Sequence, residues 1–313
     1  ATYALTVNGN HASRVFYIGM GATAELRGLT ITNGYDSQGG GICNLGNLIV
    51  QASTVTGNAT YGNGSDGDGG GIYSDGTLLV MTTTVSSNSA VDNIYWAAGG
   101  GICVRGTATV ANSTISGNQL SSTWSLGLAR GGGICNIGGV VTVVNSTISG
   151  NSARAEGGAI YNWGGTLEIT SSTLTGNRAD AYGGPVYSFY GGGLYHDDDP
   201  ATYRLHNTIV AGNLVGAPGS DSPDDLYLRD ATVDPASSNN LIGDGSGTFS
   251  SMLSFGDFGS CMDLAVGQLN SDLNLDWVLS CSPNLVFGFG DGTGNFTSST
   301  QSFGFPPVGV AVA

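Results

Sequence analysis

The residues able to do chemistry in this chain are few and loosely grouped. Its 313 residues include three histidines, no lysine, and eight arginines placed singly from Arg14 to Arg229. The densest set of donors is His196-Asp197-Asp198-Asp199-Pro200. That run reads as a solvated turn, since charges ahead of a proline usually face water, with metal binding as the alternative. His11 and His206 stand apart, with no serine or cysteine at a spacing that would build a nucleophilic triad. Five cysteines is an odd number, so at least one thiol stays unbridged. Cys261 and Cys281 are the better disulfide candidate and would suit an oxidising compartment.

The elements that must carry these residues are short and repetitive. There are 54 glycines, only 10% of residues are charged, and 40% are hydrophobic. No apolar run reaches the length of a membrane-spanning helix, and no helical period is sustained. The net charge of −15, with no basic stripe, argues against nucleic acid as a partner. It is compatible with divalent cations.

One phrase returns along the chain: a glycine-rich turn, then Ile with Cys or Tyr, then a Thr-rich strand closing on Gly-Asn. The glycine element stands at 39–43, 69–73, 99–103, 131–135, 157–161 and 191–195, with a partial copy at 183–187. Cys43, Cys103 and Cys135 occupy the place that Tyr73, Tyr161 and Tyr195 take in sister repeats, which makes them small buried filler; a Cys103–Cys135 bridge is the alternative. Equivalent apolar residues Val55, Val85, Ile115, Ile148 and Leu174 are 26 to 33 residues apart, and the length changes are expected before each glycine triplet. Apolar residues alternate with Thr or Ser, so each repeat has one face it cannot bury alone. Stacking the repeats buries it, with neighbouring strands about 4.8 Å apart. The expected fold is therefore all-β: a right-handed single-stranded parallel β-helix of about seven or eight coils over residues 1–250. The Asn that follows each strand is expected to take the left-handed bend and to bond to its copies in a ladder. The glycine triplets supply positive φ and close backbone approach.

The repeats at 39–44, 131–136, 157–162, 112–118 and 145–151 resemble those of polymorphic outer-membrane proteins and choice-of-anchor Q surface proteins of bacteria. The segments 207–213 and 239–245 resemble the close of that domain. The resemblance covers about residues 5 to 250 and implies secretion with adhesion or surface display; it brings no catalytic residues.

Residues 251–313 change character. Phe255-Gly-Asp-Phe258, Asp263-Leu-Ala-Val-Gly267 and Asp276-Trp-Val-Leu279 resemble FG-GAP or VCBS repeats, which implies a small antiparallel β module with a calcium loop. The best alignment sets Gln268, Asn270, Asp272, Asn274 and Asp276 as oxygen donors at alternate positions, a pattern suited to Ca²⁺. Gln268 replaces the first carboxylate of the pattern, and Ser271 and Leu273 replace its glycines; solvated turn residues are the alternative.

Parallel β-helices also host polysaccharide lyases, so the rival class is an enzyme or a glycan-binding protein. The strand faces carry Thr and Ser where a lyase or hydrolase site needs clustered carboxylates with Arg or Lys. The expectation is a structural, non-enzymatic protein at the cell surface or outside the cell. The loops before the glycine triplets form an aromatic row, with Tyr61, Tyr95, Trp96, Trp124, Tyr182, Phe189 and Tyr190. The row suits contact with sugars or surface proteins, or covers its own coil. Sequons occur at Asn58, Asn63, Asn112, Asn145 and Asn295. Because Ala1-Thr-Tyr-Ala-Leu-Thr-Val7 and Pro307-Val-Gly-Val-Ala-Val-Ala313 read as bare strands, copies are expected to join head to tail by strand addition into a fibre; a trimmed fragment is the alternative.

Overall fold

The alternation of apolar and hydroxyl residues builds strands, and the glycines and asparagines turn them. The computed structural model describes residues 5–62, 67–92, 96–122, 128–179, 190–197, 203–228, 234, 237, 239–243, 249–250, 261–267, 276–281, 284–290 and 296–302. The chain forms two compact units, Ala1–Gly245 and Ser246–Ala313.

One coil of the first unit shows the plan. After Gly69-Gly70-Gly71 come strands Ile72–Ser74, Thr77–Met81, Thr84–Ser86 and Ser89–Asp92, then the short Trp96–Ala98 that leads to the next triplet. Left-handed residues mark the corners: Gly69 (φ 67), Thr82 (φ 50) and Ser87 (φ 53). A left-handed threonine costs roughly 1–2 kcal/mol. The coil holds it because the Thr82 amide donates to Ala111 O of the next coil (3.1 Å). The second glycine of the triplet answers a different need: a Cβ on Gly70 would run into the carbonyls of Ser89 and Gly100.

Coils stack by parallel pairing in strict register. The first sheet has eight strands, from Phe16–Ile18 to Leu226–Leu228, and the second has seven, from Thr23–Arg27 to Tyr203–His206. The third runs from Leu5–Asn8 to Leu241–Gly243, and the fourth from Tyr35–Asp36 to Leu214–Val215. A three-stranded sheet of Gly67–Asp68, Trp96–Ala98 and Leu128–Arg130 lies between fourth and first in chain order. The unit is thus a parallel β-solenoid. Its fourth sheet ends on an antiparallel strand, Ser222–Pro223, where proline's missing N–H suits an edge.

The core is a column of like residues. Val55, Val85, Ile115, Ile148, Leu174 and Val210 stack in the third sheet, each fully buried. Two side-chain ladders run beside it. Asn58, Asn88, Asn118, Asn151 and Asn177 each donate backbone N–H and Nδ2–H to Oδ1 of the next Asn, at 2.8–3.0 Å. The last rung, Asn213, donates both to Oδ1 of the buried Asp225 (2.7 Å). At the other corner Ser53, Thr83, Ser113 and Ser146 receive the N–H of Leu29, Ser53, Thr83 and Ser113, at 3.1–3.3 Å. The amide ladder is expected from the sequence; the hydroxyl ladder is not.

Two sequence expectations change. The ladder asparagines do not take the left-handed bend: the preceding residues Gly57, Ser87, Gly117, Gly150, Gly176 and Gly212 do. That leaves the Asn side chain aimed along the stack. Only in the first coil does Asn33 itself sit left-handed (φ 53), with Gly34 in the ladder place. Length changes also occur at a second corner, between the first and second sheets. Ile102 to Thr107 is one residue shorter than the register-equivalent Ile134 to Val140. The added residue is the left-handed Gly138 (φ 69), and in the following coil Gly164 (φ 65) does the same.

The second unit contains four antiparallel strands in chain order, Cys261–Gly267, Asp276–Cys281, Asn284–Gly290 and Phe296–Ser302.

Candidate functional site

The outer side of the first sheet collects the residues with chemical variety. Strand positions that alternate with the core isoleucines place Cys43, Tyr73, Cys103, Cys135, Tyr161, Tyr195 and Tyr227 in one row, coil over coil. All but the half-buried Tyr227 are buried, forming a second cluster with Ala98. This agrees with their reading as filler. Cys103 and Cys135 are register partners and both are thiols, as is Cys43. Burial pushes the Cys135 thiol well above its usual range, and pushes Cys43 up against the opposing pull of Arg14.

The tyrosines continue as a stack. Ring centroids lie 5.5 Å apart for Tyr161–Tyr195, 5.3 Å for Tyr195–Tyr227 and 4.3 Å for Tyr227–Tyr190. Tyr190, 37% exposed, brings this stack to the surface. Arginines serve the same side. Arg130 lies over the Tyr161 ring at 5.0 Å and binds Glu156 (2.6 Å). Arg105 binds the buried Asp68 (3.1 Å), and Arg14 lies over Tyr17 at 5.5 Å and binds Asp36 (3.2 Å). The sequence assigns these arginines no role. The available signal is a carboxylate about one coil away, as in Arg130 and Glu156.

Three members of the expected contact row can be placed. Trp96 opens strand Trp96–Ala98 and pairs with Leu128, Tyr61 is 39% exposed, and Tyr190 caps the tyrosine stack. Tyr95, Trp124, Tyr182 and Phe189 lie outside the described residues. Of the calcium set, Gln268, Asn270, Asp272 and Asn274 lie outside the described residues; Asp276 is paired with Gly267 at the mouth of the connection. Cys261 and Cys281 are opposite each other in the antiparallel pair.

His196 itself does not belong to a solvated turn. It lies in strand Leu194–Asp197, fully buried, in register with Asn162 and Leu228. Asn162 Nδ2 lies 2.9 Å from its Nδ1, so Nδ1 accepts and the ring's proton sits on Nε2. It extends a column in which Asn136 Nδ2 donates to Asn162 Oδ1 (2.6 Å). Asp198 and Asp199 lie outside the described residues. The Asn58 sequon is likewise a ladder rung, 1% exposed and closed to a glycan in the folded chain. Asn112 and Asn145 are exposed corner residues bonded to each other (2.6 Å).

Among the described residues no group of three His, Cys, Asp or Glu is placed to hold a metal, and no helix is long and apolar enough to cross a membrane. Compared with protein-family models, with curated proteins and with solved structures, the chain matches none.

Proposed function

We propose that the solenoid is a structural and adhesive element of a cell surface or extracellular matrix, presenting the first-sheet side and its neighbouring loops to sugars or surface proteins. The observation that carries this reading is the pair of ladders. The repeated amides and hydroxyls bond coil to coil, so the polar residues the repeat maintains build length and not a reactive centre. What changes from coil to coil is the buried Cys/Tyr row with its arginines, whose ring stack reaches the surface at Tyr190, an aromatic group of the kind that dominates binding energy elsewhere. The resemblance to bacterial β-helical surface proteins supports export, and with it a right-handed coil.

The test is surface adhesion by the purified chain and by a variant with alanine at Trp96, Trp124 and Tyr190, run beside a screen for cleavage of acidic and neutral polysaccharides. Adhesion that the variant loses, without cleavage, supports the proposal. Sustained cleavage by the purified chain would replace it with the lyase reading.

Two additions belong to the same proposal. One is head-to-tail assembly of copies by strand addition. A calcium loop from Gln268 to Asp276 is favoured by the pairing of Gly267 with Asp276, which brings the two ends of that connection together as a chelating loop requires.

A further inference from the structure

The third sheet presents outward a grid that neither ladder uses. Its register aligns Thr6, Thr30, Thr54, Thr84, Thr114, Thr147 and Thr173 in one column. Two residues on, Thr32, Thr56, Ser86, Ser116, Ser149 and Thr175 form a second. All are half-buried or exposed, while the residue between them on each strand from Leu29–Thr32 to Thr173–Thr175 is fully buried. Parallel pairing fixes the rungs about 4.8 Å apart and the columns about 6.6 Å apart. The register runs unbroken from Leu29–Thr32 to Thr173–Thr175, and the hydroxyls of Ser86 and Thr56 are within 3.4 Å. The grid stops at Ile209 and Ala211.

The charge pattern is as telling as the spacing. In a chain of net charge −15, residues 28–34, 52–58, 82–88, 112–118, 145–151 and 171–177 contain no Asp, Glu, Lys, Arg or His. A neutral face has no attraction for ions or phosphates, and without aromatic rings it has no platform for sugars. What it does offer is a two-dimensional lattice of hydroxyls, with a methyl beside the hydroxyl of every threonine. Water at such a face meets donors and acceptors at fixed repeats, with methyl groups limiting its orientations. The rung spacing of about 4.8 Å is near the shorter oxygen repeat on a prism plane of ice. One hydroxyl is worth only about 1 kcal/mol net. A lattice of them in register adds many such contacts at once.

We propose that this face binds ice, taking the ordered water lattice as its ligand. The inference is independent of the adhesive reading, which concerns the other side of the coil. The experiment is ice-affinity partitioning of the labelled chain during slow freezing, together with microscopy of ice recrystallisation. The wild-type chain is expected to enter the ice and to suppress grain growth. Thr84→Lys with Thr114→Lys, on adjacent rungs of the third sheet, should lose both effects. Thr109→Lys with Thr142→Lys, on adjacent rungs of the second sheet, should keep both. Thermal melting of each variant checks that it is folded. Exclusion of the wild-type chain from ice overturns the proposal whatever the variants do, and equal loss in both pairs overturns the assignment to this face.

Discussion

The two sides of the solenoid follow opposite rules. Around the third sheet the coils after the first repeat one another: an aliphatic residue inside, a left-handed residue at the bend, then the ladder asparagine. Along the outer first sheet the same register carries Cys, Tyr, Cys, Cys, Tyr, Tyr and Tyr in turn. The difference follows from what each side chain must reach. A ladder residue bonds to its own copy, so any change breaks two rungs. A row residue only fills space against its neighbours, and a small thiol beside a ring is tolerated.

The ladder is where the comparison breaks most sharply. Replacing Asn118 with Leu keeps the number and branching of side-chain heavy atoms but orphans the two donors of Asn88 that now end on Asn118 Oδ1. At about 1–3 kcal/mol for each buried orphan, the loss should reach roughly 3–5 kcal/mol, read as a fall in the denaturation midpoint. Ile148→Ala, in the neighbouring column, should cost about 2–5 kcal/mol by cavity formation and share the same transition. Cys135→Ala on the row should cost about 1 kcal/mol, since it removes one small group and no hydrogen-bond network. A loss at Cys135 as large as at Asn118 would erase the distinction.

The thiols and the terminal coil sharpen it through pH. Burial keeps Cys135 and Cys43 protonated, so neither should react with a disulfide reagent near pH 8 until denaturant is added. Rapid labelling of the native chain at these sites would show the row to be open. Asp224, at the end of the stack, has its carboxyl raised by burial against the opposing bond from Gly191 N (2.9 Å). A raised acid stabilises the fold below its unfolded value and loses that contribution as pH climbs through the folded one. The last coil should therefore gain stability as pH falls from neutral toward the carboxylate range, and Asp224→Asn should flatten that slope. In the second unit, chelation of calcium should lower the melting of residues 246–313 and leave the solenoid transition in place; equal melting with chelator and with excess calcium would remove the loop Gln268 to Asp276 from the proposal.

Much of this architecture is legible in the chain because it is periodic. Val55, Val85, Ile115 and Ile148 announce the core column by spacing alone, and the glycine triplets announce the corner. The hydroxyl ladder is harder to see. Ser53, Thr83 and Ser113 look like any other hydroxyl in a Thr-rich strand, and only the turn of the backbone points them along the stack instead of outward. His196 misleads for a related reason: its three following aspartates suggest solvent, whereas its register with Asn162 puts it inside. The arginine pairs stay hidden because each joins residues from different coils, and nothing local marks the partner.

Hydrogen exchange on the native chain tests the central contrast most directly. The backbone amides of Asn58, Asn88, Asn118, Asn151 and Asn177 each donate to the next side chain of the ladder, so they should exchange only through global unfolding, with protection equal to the full stability. Residues 190 and 191, at the loop end of the variable side, should exchange through smaller openings. Ladder amides that exchange as fast as those at 190 and 191 would contradict the account.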